Sequence, residues 1–190
     1  PLVPLWLEQC VVSPDQLPEV MLQAEAADSR SCLQWHWESA DAVQLLRIAD
    51  APWTGAQKIE GLHQLPPLRG SAPMPPRSHT EVVGLLGPAA AELWGALMPD
   101  LRRLLQHRPH PFCSLACQQL GGATQKAAVE TSSFVHRNAE WKPWITAAWT
   151  PGDAQGQRRS LAWLEAVWQI LQPVCPGVHL AQFHDHLPFH

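Results

Sequence analysis

The sequence predicts an α+β domain in which helices cover one face of an antiparallel sheet of about six or seven strands. Two kinds of segment support this: short stretches rich in branched and aromatic residues, and longer stretches whose apolar residues recur every three or four positions. Several strand-like segments between residues 112 and 150 follow one another without an intervening helix, which requires antiparallel pairing. With 190 residues and 46% apolar content, residues 1–190 are expected to form a single domain.

The N-terminal part predicts a strand, a helix and a second strand. The residues of Leu5–Val12 are typical of a strand, and Ser13, Pro14 and Asp15 then form a helix start. Apolar residues spaced by three and four continue that helix to about residue 27. Residues 32–37 alternate between polar and large apolar side chains, as in a half-buried strand. The apolar residues of 41–48 fit both the alternation of a strand and the spacing of a helix, and we predict a helix there.

A proline-rich stretch interrupts the regular pattern. Six prolines fall between residues 51 and 77, and residues 66–78 are predicted to form a loop within the domain, since proline removes backbone donors. A strand is predicted at residues 80–86 and a helix at 88–106. Pro99 is expected to kink that helix or split it in two.

The C-terminal half predicts three or four strands and one helix. Residues 112–120 are expected to form a strand that ends at Gly121 and Gly122, with 123–129 as its antiparallel return. Residues 144–150 form the next strand. A helix is predicted over 157–171, where apolar residues define one face, and residues 178–183 form the last strand.

Composition and charge exclude several function classes. The net charge of −4 and the lack of a basic run argue against a nucleic-acid partner. No stretch approaches the roughly 20 apolar residues of a membrane helix, so no membrane partner is expected. The five cysteines form no CxxC motif, which predicts free structural thiols and a cytoplasmic location. Because there is no tyrosine, no mechanism can use a phenol of this chain.

No nucleotide-binding loop, nucleophile elbow or zincin motif occurs, so the candidate catalytic residues are histidines. His179 lies within an apolar strand, where an imidazole could take a proton from a substrate. Four histidines and one aspartate lie close together in the sequence near the C-terminus. They could bind zinc or iron, or they could only line a polar surface. This cluster comprises His179, His184, Asp185, His186 and His190.

Two further pairs are candidates for binding a substrate. Gln118 and Gln119 are amides in an otherwise apolar strand, and alternation requires one of them to face inward. A polar ligand or neighbouring backbone could satisfy that buried amide. Trp144 and Trp149 are five residues apart, so they are predicted to point to opposite faces, one packing on helices and the other offering an aromatic wall.

A series of motifs over residues 112–185 resembles the substrate domain of the berberine bridge enzyme-like, FAD-linked oxidases. The first is Gln118-Gln119-Leu120-Gly121-Gly122-Ala123, and the second is Ser133-Phe134-Val135-His136-Arg137-Asn138-Ala139. A tryptophan-rich strand ending in Pro-Gly, a helix containing Leu161-Ala162-Trp163-Leu164 and a strand starting at Gly177-Val178-His179 follow in the same order. The preceding helix at 88–106 also fits, whereas residues 1–78 match only in general layout.

The resemblance implies that FAD is bound mainly by a separate N-terminal domain, which we expect to be missing from this chain. The chain would then be the substrate-binding part of an oxidoreductase that removes hydride from an alcohol or related C–H donor, inert alone, with a small-molecule substrate and its own FAD domain as partners. The family commonly has tyrosines in the last strand. The resemblance places His179 at the first of these positions and Gln182 or Phe183 at the second, so the activity could be retained, changed or lost.

Two other functions remain open from the sequence. The chain could be a non-catalytic α+β module that docks a partner protein through an exposed sheet face, or a metalloprotein that uses the C-terminal histidines. The low proportion of charged residues, 16%, fits a domain whose sheet face is covered by another surface.

Overall fold

The computed structural model describes residues 4–27, 30–39, 41–66, 78–120, 123–126, 130 and 133–179. Its strands are β1 (Leu5–Val12), β2 (Ser31–Ser39), β3 (Ala42–Ala49), β4 (Gln57–Ile59), β5 (His79–Leu86), β6 (Ser114–Gln119), β7 (Trp141–Trp149) and β8 (Gly177–His179). The helices are α1 (Leu17–Ala26), α2 (Ala91–Trp94), α3 (Met98–Gln106), α4 (Ala123–Lys126) and α5 (Ala154–Leu171).

The eight strands form one antiparallel sheet in the order β4-β1-β3-β2-β6-β7-β5-β8. The predicted α+β class is confirmed, with slightly more strands than the six or seven expected. The predicted loop falls almost entirely outside the described residues, which include only its ends at Pro66 and Ser78.

The helix predicted for residues 41–48 is wrong. This segment is strand β3, which pairs with β1 on one side and β2 on the other. Val43 and Leu45 pack into the main core, whereas Leu46 belongs to a small apolar cluster on the opposite face. The local pattern fits both periods, and the backbone hydrogen bonds supplied by two neighbouring strands decide between them.

The antiparallel return predicted just after the glycines is also wrong over residues 123–126, which form the short helix α4; residues 127–129 lie outside the described residues. The strand that pairs with β6 is β7, which begins only at Trp141. A connection of some twenty residues therefore replaces the tight hairpin that Gly121 and Gly122 suggested.

The helices pack on one face of the sheet, where they bury the principal core. Trp35, Trp37, Trp94 and Trp141 are fully buried there, and Trp35 meets Trp94 edge-on with ring centroids 5.7 Å apart. The Trp163 indole nitrogen of α5 donates to the backbone oxygen of Leu104 in α3, 2.8 Å away. This hydrogen bond links helices α3 and α5, which pack beside each other.

The helix predicted at 88–106 is split, as expected from Pro99. Helix α2 ends at Trp94, a 3₁₀ turn spans Gly95–Leu97, and α3 begins at Met98. Pro99 lies in the first turn of α3, where its missing N–H would have no helical partner in any case. The proline is therefore accommodated at a helix start instead of distorting a continuous helix.

All five cysteines are free, as predicted, although Cys10 is exposed and not buried. Burial raises the pKa of Cys32 to about 11 and that of Cys175 to about 12, with the charge of Glu140 adding to the effect at Cys32. These thiols remain protonated at neutral pH and are inert. No helix in the described part of the chain is both long and apolar enough to cross a membrane.

Candidate functional site

The face of the sheet opposite the helices, here called the open face, carries a continuous row of residues across five strands. Antiparallel register places each residue of the row directly opposite the next, so that all of them point to the same side. From the β8 edge inward the row consists of His179, Gly84, Trp144, Ala116 and His36. Neighbouring members are about 5 Å apart at their Cα atoms.

Small residues alternate with the large ones in this row. Ala116 is fully buried between the half-buried side chains of Trp144 and His36, and the buried Gly84 lies between Trp144 and His179. The row therefore has the indole of Trp144 between two small residues and an imidazole at either end.

A second row lies two residues further along the same strands. Lys142, Gln118 and Gln34 are direct cross-strand neighbours and are half-buried. Burial lowers the pKa of the Lys142 ammonium, because it is partly removed from water. The open face thus presents one cation and two amides beside the aromatic row.

His179 is held at the edge of the sheet by pairing with β5, where it lies opposite Gly84. Gly177, two residues earlier, packs closely on a second histidine: a Cβ atom added to Gly177 would lie 3.0 Å from the His136 ring and 3.0 Å from Cβ of Leu86. His136 belongs to the FVHRNA motif found in the sequence. The motif and the last strand, distant along the chain, therefore meet at this end of the open face.

The two adjacent glutamines have different environments. Gln118 faces the open side, whereas Gln119 is 6% exposed and faces the helices. The Gln119 amide is fully engaged: its Oε1 accepts from the Leu33 N–H at 3.0 Å, and its Nε2 donates to Ala24 O at 3.0 Å and to Glu140 Oε1 at 2.6 Å. Gln119 thus links elements on the helix side, where it also lines a small cavity beside α1, and its role in substrate binding stays a prediction.

The two tryptophans also separate, in the predicted way. Trp144 lies on the open face, and Trp149 is buried on the helix side, where it stacks on His79 with centroids 6.1 Å apart. Trp149 thus belongs to the core and lies apart from the open face, and its role in substrate binding stays a prediction. Gln182 and Phe183 lie outside the described residues, so their predicted roles stay predictions.

The predicted metal cluster is largely outside the described residues as well, since it includes His184, Asp185, His186 and His190. Within the described ranges, no three His, Cys, Asp or Glu side chains come together in a way that could hold a metal ion. The metal-binding hypothesis therefore remains a prediction about the C-terminal residues.

Sequence reasoning missed Lys142, His36 and the small residues between the large ones. Alternation from Trp144 would have found Lys142 two residues earlier, and alternation within β2 would have paired His36 with Gln34. Nothing local identifies Gly84 or Ala116, because they matter only as cross-strand neighbours of larger residues.

The open row is a wall and not an enclosed pocket. A cavity of about 400 Å³ lies elsewhere, at the β4 edge, and none of the predicted site residues lines it. A smaller cavity of about 170 Å³ lies between α1 and the start of β2. Because ligand sites are normally concave, the open row needs a second surface to enclose a small molecule.

Comparison with solved structures identifies the fold. BBE-like #28 from Arabidopsis thaliana superposes with a TM-score of 0.74 at 10% identity, covering 98% of this chain and 47% of that one. CrmK, a flavoenzyme of caerulomycin biosynthesis, gives 0.70 at 14% identity, with 97% and 47% covered. Berberine bridge enzyme from Eschscholzia californica gives 0.60 at 15% identity, with 90% and 41% covered. No protein-family profile and no curated protein matches the sequence.

The resemblance inferred from the sequence is thus confirmed at the level of the fold. Almost the whole of this chain superposes, whereas it spans less than half the length of each of these three proteins. That partial coverage agrees with the expectation that the chain corresponds to one portion of such an enzyme.

Proposed function

We propose that this chain is the substrate-binding part of an FAD-dependent oxidoreductase, and that its open face forms one wall of the active site. The observation that carries the proposal is the row from His179 to His36, on the uncovered side of a fold shared with part of the berberine bridge enzyme-like proteins. One of those proteins is described as a flavoenzyme, and another as an oxidoreductase that catalyses the last step of gilvocarcin biosynthesis.

The residues of the row fit a flat ring system with a substrate between it and the sheet. Trp144 is half-buried and offers an aromatic surface between the small residues Gly84 and Ala116, and the polar residues at the margins can orient hydroxyl or carbonyl groups. FAD, bound mainly by residues outside this chain, would supply the acceptor for a hydride.

In the proposed reaction an alcohol becomes a carbonyl compound. The substrate carbon loses its hydrogen as a hydride, and the hydroxyl proton passes to the imidazole of His179. Histidine is the most frequent general base of enzymes, and here it sits at one end of the row, opposite a glycine that leaves room for the substrate. Trp144 and Gln118 position the substrate so that its C–H bond faces the acceptor.

The first test uses the natural gene product that contains these residues. We expect a yellow protein with a flavin absorption spectrum that is bleached when an oxidisable alcohol is added without oxygen. A colourless product that neither contains nor binds FAD would overturn the proposal. That result would instead favour a non-catalytic partner-binding module, whose partner would cover the open face.

The second test concerns the base. We expect His179→Gln to slow substrate-dependent bleaching by about 10²–10⁴-fold, because general base catalysis contributes about that much, with little change in KM. His107→Gln is the matched control, since His107 is exposed at the end of α3. If the two variants bleach equally fast, His179 is not the base, although the oxidoreductase proposal stands.

A further inference from the structure

Lys142 is a half-buried cation for which the described part of the chain supplies no counter-ion. It lies between Trp141 and Pro143, which are both buried. In the described parts of the chain its ammonium makes neither an ion pair nor a hydrogen bond. Burial lowers its pKa, so the position is unfavourable for the charge. A partly desolvated ammonium that no protein group compensates is a place where a bound anion gains free energy.

Hydrogen-bond donors lie next to this cation. Gln118 is the direct cross-strand neighbour of Lys142, and Gln34 is the neighbour of Gln118. Each amide offers an NH₂ group on the open face, and no acidic residue belongs to this row. A cation flanked by neutral donors is complementary to a carboxylate, whose oxygens accept only.

An aromatic surface lies beside the same group. Trp144 follows Lys142 by two residues on β7, so both side chains point to the open face. Ala116, the cross-strand neighbour of Trp144, carries only a methyl group beside the indole. A ring resting against the Trp144 indole could therefore direct a carboxylate toward Lys142.

We propose that Lys142, with Gln118 and Gln34, binds the carboxylate of a small aromatic acid, and that the substrate of the proposed oxidoreductase belongs to this class. That the bound acid is a substrate rests on the proposed function, whereas the binding of a carboxylate at this site does not require a flavin. It assigns Lys142 a role in selecting the substrate and leaves the chemical step to other groups.

The test compares benzoate with its neutral isostere benzamide, titrated into the full chain and followed by ligand-observed NMR. We expect benzoate to bind about tenfold more tightly, because only it can pair with the ammonium. Lys142→Met should reduce this preference to about twofold or less, and Lys142→Arg should keep it. Lys58→Met, which alters an exposed lysine on β4, should leave it unchanged.

Equal binding of the two compounds to the unaltered chain, or an undiminished preference in Lys142→Met, would overturn the proposal. Circular dichroism in the near ultraviolet identifies a variant that fails to fold, and Lys142→Gln then replaces it, with the same expected loss of preference for benzoate because it too removes the ammonium. A gene product without flavin would contradict the proposed function but not the carboxylate site, whereas a flavoprotein chain that binds both compounds equally would contradict only this inference.

Discussion

The helix-covered face and the open face of the sheet use alternate residues of the same strands. On β7, Trp141 and Ile145 face the helices and are fully buried, whereas Lys142 and Trp144 face the other way and are half-buried. The covered face is filled mainly by apolar side chains. The open face combines a lysine, amides and imidazoles with one indole, which is not the composition of a packed core. The same sheet therefore provides a packed core on one side and, under the proposed function, a binding surface on the other.

The largest expected difference between the faces concerns their tryptophans. Trp35→Ala should destabilise the fold by about 3–5 kcal/mol, because it leaves a cavity against Trp94 in the core. Trp144→Ala on the open face should cost only about 1 kcal/mol. Urea unfolding of both variants measures the free energies. Equal losses would mean that the open face is packed as tightly as the core.

The adjacent glutamines provide a matched pair with a smaller effect. Gln119→Leu should cost about 2 kcal/mol, because it leaves the buried Leu33 N–H and the Glu140 carboxylate without their partner. Gln118→Leu, one residue away on the open face, should change the free energy of unfolding by less than about 0.5 kcal/mol. The same urea experiment applies, and a reversed order would contradict the assignment of faces.

The smallest effect is expected from alkaline pH. Because the folded state raises the pKa of Cys32 from 9.0 to about 11, the unfolded chain loses this proton first, and stability falls as pH rises above 9. The slope for one such thiol is at most about 1.4 kcal/mol per pH unit. Cys32→Ser should remove the contribution of this thiol to the slope of the free energy of unfolding against pH.

Cys10→Ser is the comparison for this measurement: Cys10 is exposed, and because partial burial and the charge of Glu8 raise its pKa less than that of Cys32, it should change the slope less. Unfolding is followed in urea with a reductant present at a series of pH values above 9. The Lys142 ammonium has the opposite effect on the pH dependence of stability. Because its pKa is lower in the folded state than in the unfolded chain, the free energy of unfolding rises with pH just below 10.5. A Cys32→Ser slope equal to that of the unaltered chain would show that the thiol is not buried as described.

The parts of the site that the sequence could predict are those that depend on alternation within one strand. The opposite orientation of Trp144 and Trp149 follows from their spacing. For Gln118 and Gln119 the spacing shows only that they differ, and it gives no sign of which one faces a ligand, since that depends on where the helices pack. The failure to predict strand β3 has the same cause. Its residues fit the period of a strand and of a helix equally, and only the hydrogen bonds from two neighbouring strands decide between them.

By itself, the sequence determined the α+β class, most of the strands and helices, the split of the helix at Pro99, and the motifs that indicated the berberine bridge enzyme-like fold. These features depend on residues close together along the chain. Only the tertiary structure decided the order of the strands, which face the helices cover, and that His36, Gly84, Ala116, Trp144 and His179 form one row. The physical reason is that cross-strand register pairs residues that are distant along the chain, such as Gly84 with His179 and His36 with Ala116, and no local propensity encodes such a pairing.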